Sequence, residues 1–450
     1  MKIPGPLLNT SIKGASELRK SPLEYMQEMD KKYPGIANWK LLHLNIVHLS
    51  DPELIRAVLQ TNQKQYVKNS AYKQLKLVLG NGLVTSEGDL WRRQRKLIQP
   101  SFHKQSIYNF FDTMLACTNE MVNEWKEKLK TKNEIDFSQE MMKITLQIIG
   151  KTMLSADVKT EAKNVGSSLS YLLKAIEKRT TKAINLPLWF PLPSHFKFKN
   201  ERKVLDNIIY KLIEERRKTK EKKGDLLDML MESRYEDTGE AMPNDLLKDE
   251  LMTIFLAGHE TTASALTWTF YLISQHPEVY KKLKKEIDEV VGNGEMTFQH
   301  FQQLKYTKAC LNEGMRLYPP VWMIGRRAIE DNMIGDYLIK KDTDILISPY
   351  IVHHHPNYWK NPETFDPDRW ETEEVKQMDK FVYFPFAAGP RMCIGNNFAL
   401  FEADIIITKV IQNFSFDYLG QIPPPMDASI TLRVKGWHGM PMRVKELMNT

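Results

Sequence analysis

Cysteine is scarce in this chain: its 450 residues include only three, Cys117, Cys310 and Cys393. Their number and spacing exclude a disulfide framework and any CxxC zinc or redox site, and they are typical of a reducing compartment. Long apolar runs are also missing, since none approaches the ~20 residues of a membrane-spanning helix. Residues 1–6 contain neither the apolar core nor the cleavage site of a signal peptide. We therefore predict a soluble, cytoplasmic protein; the alternative is that an N-terminal anchor has been removed.

The chain also carries little excess charge, because 63 lysines and arginines stand against 56 aspartates and glutamates, a net charge of +7. The basic runs contain acids, as in residues 214–218 and 281–286, which is typical of solvated helix faces. A nucleic-acid-binding protein concentrates its basic residues on one face or tail, so we predict no nucleic-acid partner. Attraction to an acidic protein or to a membrane surface stays open.

The spacing of apolar residues predicts a helix-dominated α+β protein with a small β-rich portion, no internal repeats and no long linker. Strands are predicted mainly in 35–60 and 321–350 (334–339 and 344–348 in particular) and again near 426–444. Helices are predicted mainly over 90–320, including one at 301–318, and over 394–413. A further helix is predicted to open at Asp51 and Pro52.

One long helix is predicted over 244–275, because Pro243 and Asn244 are start signals and the pair His276 and Pro277 ends it. Gly258, His259 and two threonines lie near its centre and are poor helix formers. We therefore predict a local opening of its backbone hydrogen bonds there, a feature that is frequent at functional sites.

Residues 184–198 contain three prolines, which exclude a helix interior. The segment is unusually rich in aromatic residues for a loop. Two interpretations stay open: a hydrophobic lid or membrane-touching surface, or an apolar loop folded onto the body of the protein.

The most informative segment is 386–395, where glycines flank Cys393 immediately before a predicted helix. A helix N-terminus lowers the pKa of a thiol and favours thiolate, and Gly395 allows another group to approach closely. The thiolate could be a nucleophile or a metal ligand. A nucleophile needs a paired histidine, and none lies nearby in sequence; a ligand for a large cofactor needs an apolar cavity and cationic groups.

Residues 386–395 resemble the haem-binding signature of the cytochrome P450 family, FxxGxRxCxG, at every fixed position. Four further segments resemble family motifs in the expected order: WxxxR at 91–95, AGxxT at 257–261, ExxR at 313–316, and at 365–370 the segment with the second arginine of a Glu–Arg–Arg cluster. The resemblance covers essentially the whole chain. It implies a single P450 domain over 1–450, with a long central helix over the haem.

The resemblance implies that haem b is the cofactor and that Cys393 is the axial ligand of its iron. Phe386 would pack near the sulfur atom, and the loop glycines Gly389 and Gly395 would lie against the cofactor. The side chains implied to bind the haem propionates are Trp91, Arg95, Arg391 and Arg326, with Arg327 as the neighbouring alternative to Arg326. Ala387 departs slightly from the family, in which glycine or serine is commoner at that position.

Thr261 would be the proton-relay hydroxyl beside bound dioxygen, and Glu260 its acidic neighbour. The ordinary alternative for a helical threonine is a hydroxyl bonded to the preceding turn. Glu313, Arg316 and Arg369 would form a buried structural ion network. A metal site at the consecutive residues 353–355, all histidines, is disfavoured, because consecutive side chains on a regular element diverge.

The implied activity is that of a monooxygenase: dioxygen and two electrons are used to hydroxylate or epoxidise a lipophilic substrate. The substrate would be a fatty acid, a terpenoid or a steroid-like molecule, since the segments near Trp91 and Phe386 resemble a branch with all three. The positions expected to face it are 72–83, 171–192, 255–257 and 321–323. An oxygen-independent isomerase, a peroxygenase and a haem sensor are the alternatives.

We expect no fused flavin or iron–sulfur domain, so electrons would come from a separate ferredoxin, flavodoxin or reductase. We expect a monomer. Arg92, Arg93 and Lys96 are candidates for a basic docking face for that donor.

Overall fold

A computed structural model describes residues 1–6, 21–41, 44–155, 162–180, 185–219, 221–435 and 439–447. The helices are α1 (Pro22–Lys32), α2 (Pro52–Arg56), α3 (Ala71–Leu79), α4 (Gly88–Ile98), α5 (Lys104–Tyr108), α6 (Phe111–Leu129), α7 (Phe137–Leu154), α8 (Ala162–Thr180), α9 (Pro193–Thr219), α10 (Leu226–Glu232), α11 (Asn244–Gln275), α12 (Pro277–Val290), α13 (Phe298–Gln303), α14 (Lys305–Leu317), α15 (Pro349–His353), α16 (Glu373–Lys376) and α17 (Asn396–Asn413). The strands are β1 (Ile36–Leu41), β2 (Leu44–Leu49), β3 (Tyr66–Val67), β4 (Glu134–Asp136), β5 (Ile324–Ala328), β6 (Asn332–Ile334), β7 (Tyr337–Ile339), β8 (Asp344–Ile347), β9 (Phe414–Tyr418), β10 (Met426–Ala428), β11 (Leu432–Val434) and β12 (Pro441–Glu446). The predicted helix-dominated α+β class is confirmed.

The chain divides into two compact units. The first unit contains residues 1–72, 312–393 and 426–433, and the second contains residues 73–311, 394–425 and 434–450. None of the helices in the described ranges combines the length and the apolar character needed to cross a bilayer.

The first unit is built on a five-stranded sheet in the order β1–β2–β8–β5–β3, in which only the β2–β8 pair is parallel. Four of these strands, β1, β2, β5 and β8, lie in the β-rich segments predicted from the sequence, whereas β3 lies outside them. The predicted helix start at Asp51 is also confirmed, because its carboxylate accepts the backbone N–H groups of Glu53 (2.9 Å) and Leu54 (3.0 Å) and Pro52 occupies the first turn.

Both faces of this sheet are apolar and buried. Along β8, Ile345 and Ile347 belong to one hydrophobic cluster, whereas Leu346 belongs to another. The same alternation occurs on β2, where Val47 and Ile46 belong to different clusters. Successive side chains of a strand point to opposite faces, so the sheet packs on two sides and forms a rigid platform.

The second unit surrounds α11, whose bounds are those predicted from the sequence. The predicted opening at its centre is wrong, because α11 is continuous from Asn244 to Gln275. Gly258 instead allows close packing with α7: a Cβ there would lie 2.4 Å from Cδ1 of Ile149. The Thr145 hydroxyl of α7 also donates to the His259 carbonyl, 3.1 Å.

Aromatic side chains pack against one another in the interior of this unit. The Phe137 ring lies 4.9 Å from Trp125, 5.3 Å from Phe270 and 5.1 Å from Phe416. Phe137 lies beside a three-stranded antiparallel sheet in the order β4–β12–β9. The C-terminal strands predicted near 426–444 are therefore present, and β9 begins earlier than predicted.

Three predicted elements have different bounds. The helix predicted over 301–318 is two helices, α13 and α14, because the Glu286 carboxylate accepts the N–H groups of Tyr306 (2.6 Å) and Thr307 (2.8 Å) and so caps a new start. The strand predicted over 334–339 is a hairpin that turns at Gly335, where φ is +52°. The last part of the segment 184–198, which was predicted to lie outside a helix interior, is the first turn of a helix, since Pro193 begins α9.

Replacing Phe137 by alanine is expected to lower the free energy of unfolding by about 3–5 kcal/mol, because it leaves a cavity among packed rings. Urea unfolding followed by circular dichroism measures this change. Phe196→Ala is the matched control, since Phe196 is 57% exposed, and it is expected to change stability by less than about 0.5 kcal/mol. Equal effects of the two substitutions would contradict this description of the core.

Candidate functional site

Cys393 lies at the end of a tight loop in the first unit. Its N–H donates to the Phe386 carbonyl (2.9 Å), and the N–H of Met392 donates to the Gly389 carbonyl (3.0 Å). Cys393 is exposed, whereas Cys117 and Cys310 are buried. The loop therefore presents the accessible cysteine from a backbone that its own hydrogen bonds hold in place.

Two residues of this loop have left-handed backbone conformations. Gly389 has a φ of +72°, and a Cβ at this position would lie 2.0 Å from the Leu59 carbonyl oxygen, so only glycine fits. Ala387 has a φ of +59°, a conformation that costs a residue with a side chain roughly 1–2 kcal/mol. Glycine at the position of Ala387 would avoid this strain.

Gly395 belongs to the second unit and occupies the N-cap position of α17. A Cβ on this residue would meet Phe102 at 3.8 Å, an ordinary contact distance. Its φ of −89° is also available to any residue. The described atoms of the second unit therefore do not require glycine there, in contrast to the position of Gly389.

A buried ionic cluster lies in the first unit, centred on the fully buried Glu313. Its carboxylate accepts from Nε and Nη2 of Arg316 at 3.0 and 2.8 Å and from Nε of Arg369 at 2.9 Å. It also accepts from the Trp370 indole (3.0 Å) and from the Asp366 N–H (3.2 Å). The predicted Glu–Arg–Arg network is therefore present.

The guanidinium of Arg316 links this cluster to three backbone carbonyl groups. It donates to the carbonyls of His353 (2.8 Å), Pro362 (2.7 Å) and Thr364 (3.1 Å). With its two bonds to Glu313, these contacts use all five donors of an arginine. The segment 353–364 is thereby fixed to α14.

His353 connects the cluster with the cysteine loop, a role that the sequence did not reveal. Its Nε2 accepts the N–H of Phe384, 3.0 Å, two residues before Phe386. Burial, together with His354 and Arg316 nearby, lowers the pKa of His353 well below its usual range. A neutral imidazole can accept this hydrogen bond, whereas an imidazolium cannot.

The three consecutive histidines do not converge. His354 Nδ1 lies 2.7 Å from the Tyr350 carbonyl, and His355 Nδ1 accepts the N–H of Asn357, 3.2 Å. Within the described ranges, no group of three or more histidine, cysteine or acidic side chains is suited to hold a metal ion. Each imidazole therefore interacts with a different backbone group.

Arg326 and Arg327 face opposite sides of β5, so the structure separates two candidates that the sequence could not. Nε of Arg327 lies 2.6 Å from the Asp344 carboxylate. Arg326 is buried, with 7% of its surface exposed, and donates to the Gly325 carbonyl, 2.9 Å. Among the residues that the structure describes, no carboxylate forms an ion pair with Arg326, so this guanidinium suits an anionic group.

Trp91 and Arg95 lie four residues apart on α4 of the second unit, both half-buried, and therefore share one face of the helix. Arg391, in the first unit, is also half-buried.

The predicted basic docking face is balanced by acids. Arg92 pairs with Asp89 (2.9 Å), Arg93 with Asp237 (3.1 Å), and Lys96 with Glu236. The surface at these three residues therefore has no local excess of positive charge.

A stripe of partial exposure runs along α11, which is otherwise buried from Leu247 to Ile273. The half-buried residues are Ile254, Ala257, Gly258 and Thr261. Their spacing of three, four and seven places them on one face of the helix. We call this set the α11 stripe. It consists of one hydroxyl among apolar groups.

Thr261 makes the bond of an ordinary helical threonine, since its hydroxyl donates to the Ala257 carbonyl, 2.7 Å. Glu260 beside it is buried. The residues predicted to face a substrate are only partly accessible, because Phe255, Leu256 and Trp322 are buried. Ile254, which the sequence analysis missed, is accessible instead; its helical spacing from Thr261 was the available signal.

The proline-rich segment is an exposed apolar surface in its described part, 185–198, since residues 181–184 lie outside the described ranges. Trp189 is 76% exposed, and Leu186 and Phe190 are also exposed. The interpretation of a loop folded onto the body is therefore wrong for these side chains. Arg179 holds the segment through the Leu186 carbonyl, 3.1 Å.

Replacing Glu313 by glutamine is expected to lower the free energy of unfolding by about 3–5 kcal/mol, because two buried guanidinium groups lose their counter-charge. Urea unfolding measures the change. The matched control is Glu363→Gln, whose side chain is 74% exposed and whose loss is expected to cost less than about 0.5 kcal/mol. A Glu313→Gln protein as stable as the control would show that the cluster does not stabilise the unit.

Comparison with known proteins gives the family. A family model described as "Cytochrome P450" matches residues 3–436. Protein LUTEIN DEFICIENT 5, chloroplastic, of Arabidopsis thaliana is 31% identical over 89% of this chain and 70% of its own length. Cyclooctat-9-en-7-ol 5-monooxygenase of Streptomyces melanosporofaciens is 31% identical over 80% of this chain and 77% of its own length.

Human cytochrome P450 4V2 is 31% identical over 87% of this chain and 78% of its own length. The matched region contains the exposed cysteine of the tight loop, the Glu313 cluster and the α11 stripe. Because the family model covers nearly the whole sequence and these relatives span most of it, this chain belongs to the cytochrome P450 family of haem-dependent monooxygenases.

Proposed function

We propose that this enzyme inserts one oxygen atom of dioxygen into a C–H or C=C bond of a lipophilic substrate that lies against the α11 stripe. The observation that carries the proposal is the composition of this stripe: Thr261, which carries a hydroxyl, is partly exposed beside the apolar residues Ile254 and Ala257. An apolar surface binds a lipophilic molecule and excludes water. A single hydroxyl within it gives protons one defined entry point.

The residues present fit haem b. Cys393 offers an exposed thiol on a fixed loop, and Arg326 is a buried cation without a carboxylate partner among the described residues. We propose that Cys393 Sγ binds the iron, with Phe386, Gly389 and Gly395 against the cofactor, and that Arg326, Arg391, Arg95 and Trp91 bind the propionates. When bound, haem supplies the iron centre at which dioxygen is reduced and the oxygen atom is transferred.

Thr261 Oγ1 and the Glu260 carboxyl are proposed to deliver protons to the reacting dioxygen. In the observed rotamer, the hydroxyl proton of Thr261 is engaged by the Ala257 carbonyl, and its lone pairs stay available to accept. Rotation about the Cβ–Oγ1 bond turns this donor towards the stripe. The buried Glu260 next to it then reloads the hydroxyl with a proton.

The electron donor is proposed to be a separate ferredoxin, flavodoxin or reductase, and the enzyme a cytoplasmic monomer. The substrate is proposed to be a fatty acid, a terpenoid or a steroid-like molecule. The name of the Streptomyces relative, a monooxygenase of cyclooctat-9-en-7-ol, makes cyclic lipophilic alcohols a useful first set to test. Residues 72–83 and the exposed segment around Trp189 are proposed to face the substrate.

Replacing Thr261 by alanine is expected to uncouple the reaction. A substrate is first identified as the lipophile that saturably shifts the ferric Soret band of the wild-type enzyme. With that substrate and a reducing partner, donor oxidation should continue while product per electron pair falls by on the order of tenfold or more, because protons are no longer delivered in order.

Thr269→Ala is the matched control. Thr269 makes the same bond to the carbonyl four residues back (2.8 Å) but is fully buried, so its product yield should equal that of the wild type. Equal yields for Thr261→Ala and the wild type would contradict the relay. Product formation without dioxygen would instead indicate an isomerase, and formation from peroxide alone a peroxygenase.

A further inference from the structure

The last residues of α3 and the turn that follows them, together residues 77–83 and called the 77–83 turn below, are held at both ends by side chains of α9 and α11 in the second unit. At its start, the Leu77 carbonyl accepts Nη1 of Arg202, 2.8 Å. At its end, the N–H groups of Asn81 and Leu83 donate to Asp249 (2.7 Å) and Glu250 (2.9 Å). Adjacent carboxylates on one helix therefore hold alternate N–H groups of the turn.

These anchoring side chains also hold one another. Lys248 Nζ lies 2.6 Å from Asp249 and 3.5 Å from Asp206 of α9, and Asp206 lies 3.4 Å from Nε of Arg202. Positive and negative side chains thus alternate in the order Arg202, Asp206, Lys248, Asp249. The turn completes a ring, because it bonds to both Asp249 and Arg202. We call this ring, together with Glu250, the clasp.

The turn is shaped to fit the clasp closely. Gly80 has a φ of +56°, and a Cβ there would lie 2.2 Å from the Asp249 carboxylate. At Gly82, a Cβ would lie 2.0 Å from the Thr253 hydroxyl. Lys248, Asp249 and Glu250 are all buried. Buried charged groups of this kind are tolerated when they are paired and hydrogen-bonded, and removing one partner is costly.

Glu250 of the clasp lies on the face of α11 that carries the α11 stripe. Glu250, Ala257 and Thr261 are separated by seven and four residues, so they lie within about 40° of one another around the helix. Thr253, which Gly82 contacts, precedes Thr261 by eight residues, or about 12 Å along the axis. The turn therefore lies against the N-terminal end of the accessible stripe.

We propose that Asp249, Glu250 and Arg202 are positioning residues that set which sizes of ligand reach the stripe, by fixing the 77–83 turn at its end. The inference rests on the proposed function in one respect only, that ligands of this enzyme lie against the α11 stripe. None of the three side chains touches the reacting atoms. Loosening the turn enlarges the space at that end, so selectivity between small and large ligands changes.

The experiment uses the haem-loaded enzyme and two probes that bind haem iron directly, imidazole and 1-dodecylimidazole, titrated by their shift of the Soret band. The measured quantity is the ratio of the two dissociation constants. We expect Asp249→Ala and Arg202→Gln each to change this ratio by about fivefold or more, the worth of one hydrogen bond in a buried setting. Imidazole affinity alone should change little.

Asp245→Asn is the matched control. Asp245 is an acid in the first turn of the same helix, but it accepts from the Tyr210 hydroxyl (2.5 Å) and not from the turn. A ratio within about twofold of the wild type in Asp249→Ala and Arg202→Gln would overturn the proposal. If Asp249→Ala does not retain haem, the ratio measured for Arg202→Gln alone tests the proposal. The Arg202 side chain is one-third exposed, so its replacement disturbs the fold less. A merely structural role would lower stability and leave the ratio unchanged.

These probes require no natural substrate. A wild-type enzyme that binds both imidazoles but responds to no lipophile would count against the proposed substrate class and leave the test of the clasp intact.

Discussion

The first unit depends on one buried carboxylate. Glu313 accepts five hydrogen bonds, two of them from Arg316, which in turn fixes carbonyl groups from 353 to 364. Since burying ions costs several kcal/mol each, a cluster of this kind is stable only when every donor and acceptor is used. Here the partners are backbone groups distant in sequence, so the cluster determines where that backbone lies.

That constraint extends to the cysteine. The His353 carbonyl bonds to Arg316, and the His353 imidazole holds the N–H of Phe384. Phe384 then begins the turn that contains Ala387 and Gly389 and ends at Cys393. Hydrogen bonds and short stretches of backbone thus connect Glu313 with the loop that ends at Cys393. In the second unit, close packing around α11 leaves only the α11 stripe partly exposed between Leu247 and Ile273.

The helix bounds and the cysteine loop could be predicted from the sequence where residues act on their own stretch of backbone. Pro243 and His276 bound α11, Asp51 and Pro52 start α2, and glycines mark the cysteine loop, because caps, prolines and glycines act on their own backbone. The Glu–Arg–Arg cluster was recognised through a family motif, and its geometry agrees with that recognition.

The failures have a common physical cause, namely contacts between residues far apart in sequence. Glu286 divides the helix predicted over 301–318, because it caps the start of a second helix. The close approach of Ile149 accounts for glycine at position 258, and α11 does not open there. The choice between Arg326 and Arg327 depended on Asp344 of a neighbouring strand, and the clasp joins three helices. No periodicity or local motif encodes such pairings.

We propose above all that the exposed thiol of Cys393 is the ligand of the haem iron. The most direct measurement is the absorption spectrum of the reduced carbonyl complex, recorded for the wild type, Cys393→Ser, and the buried-cysteine controls Cys117→Ala and Cys310→Ala. We expect the red-shifted Soret band of a thiolate-ligated haem in the wild type and both controls, and its loss in Cys393→Ser. A Cys393→Ser protein that retained this band would show that another residue holds the iron.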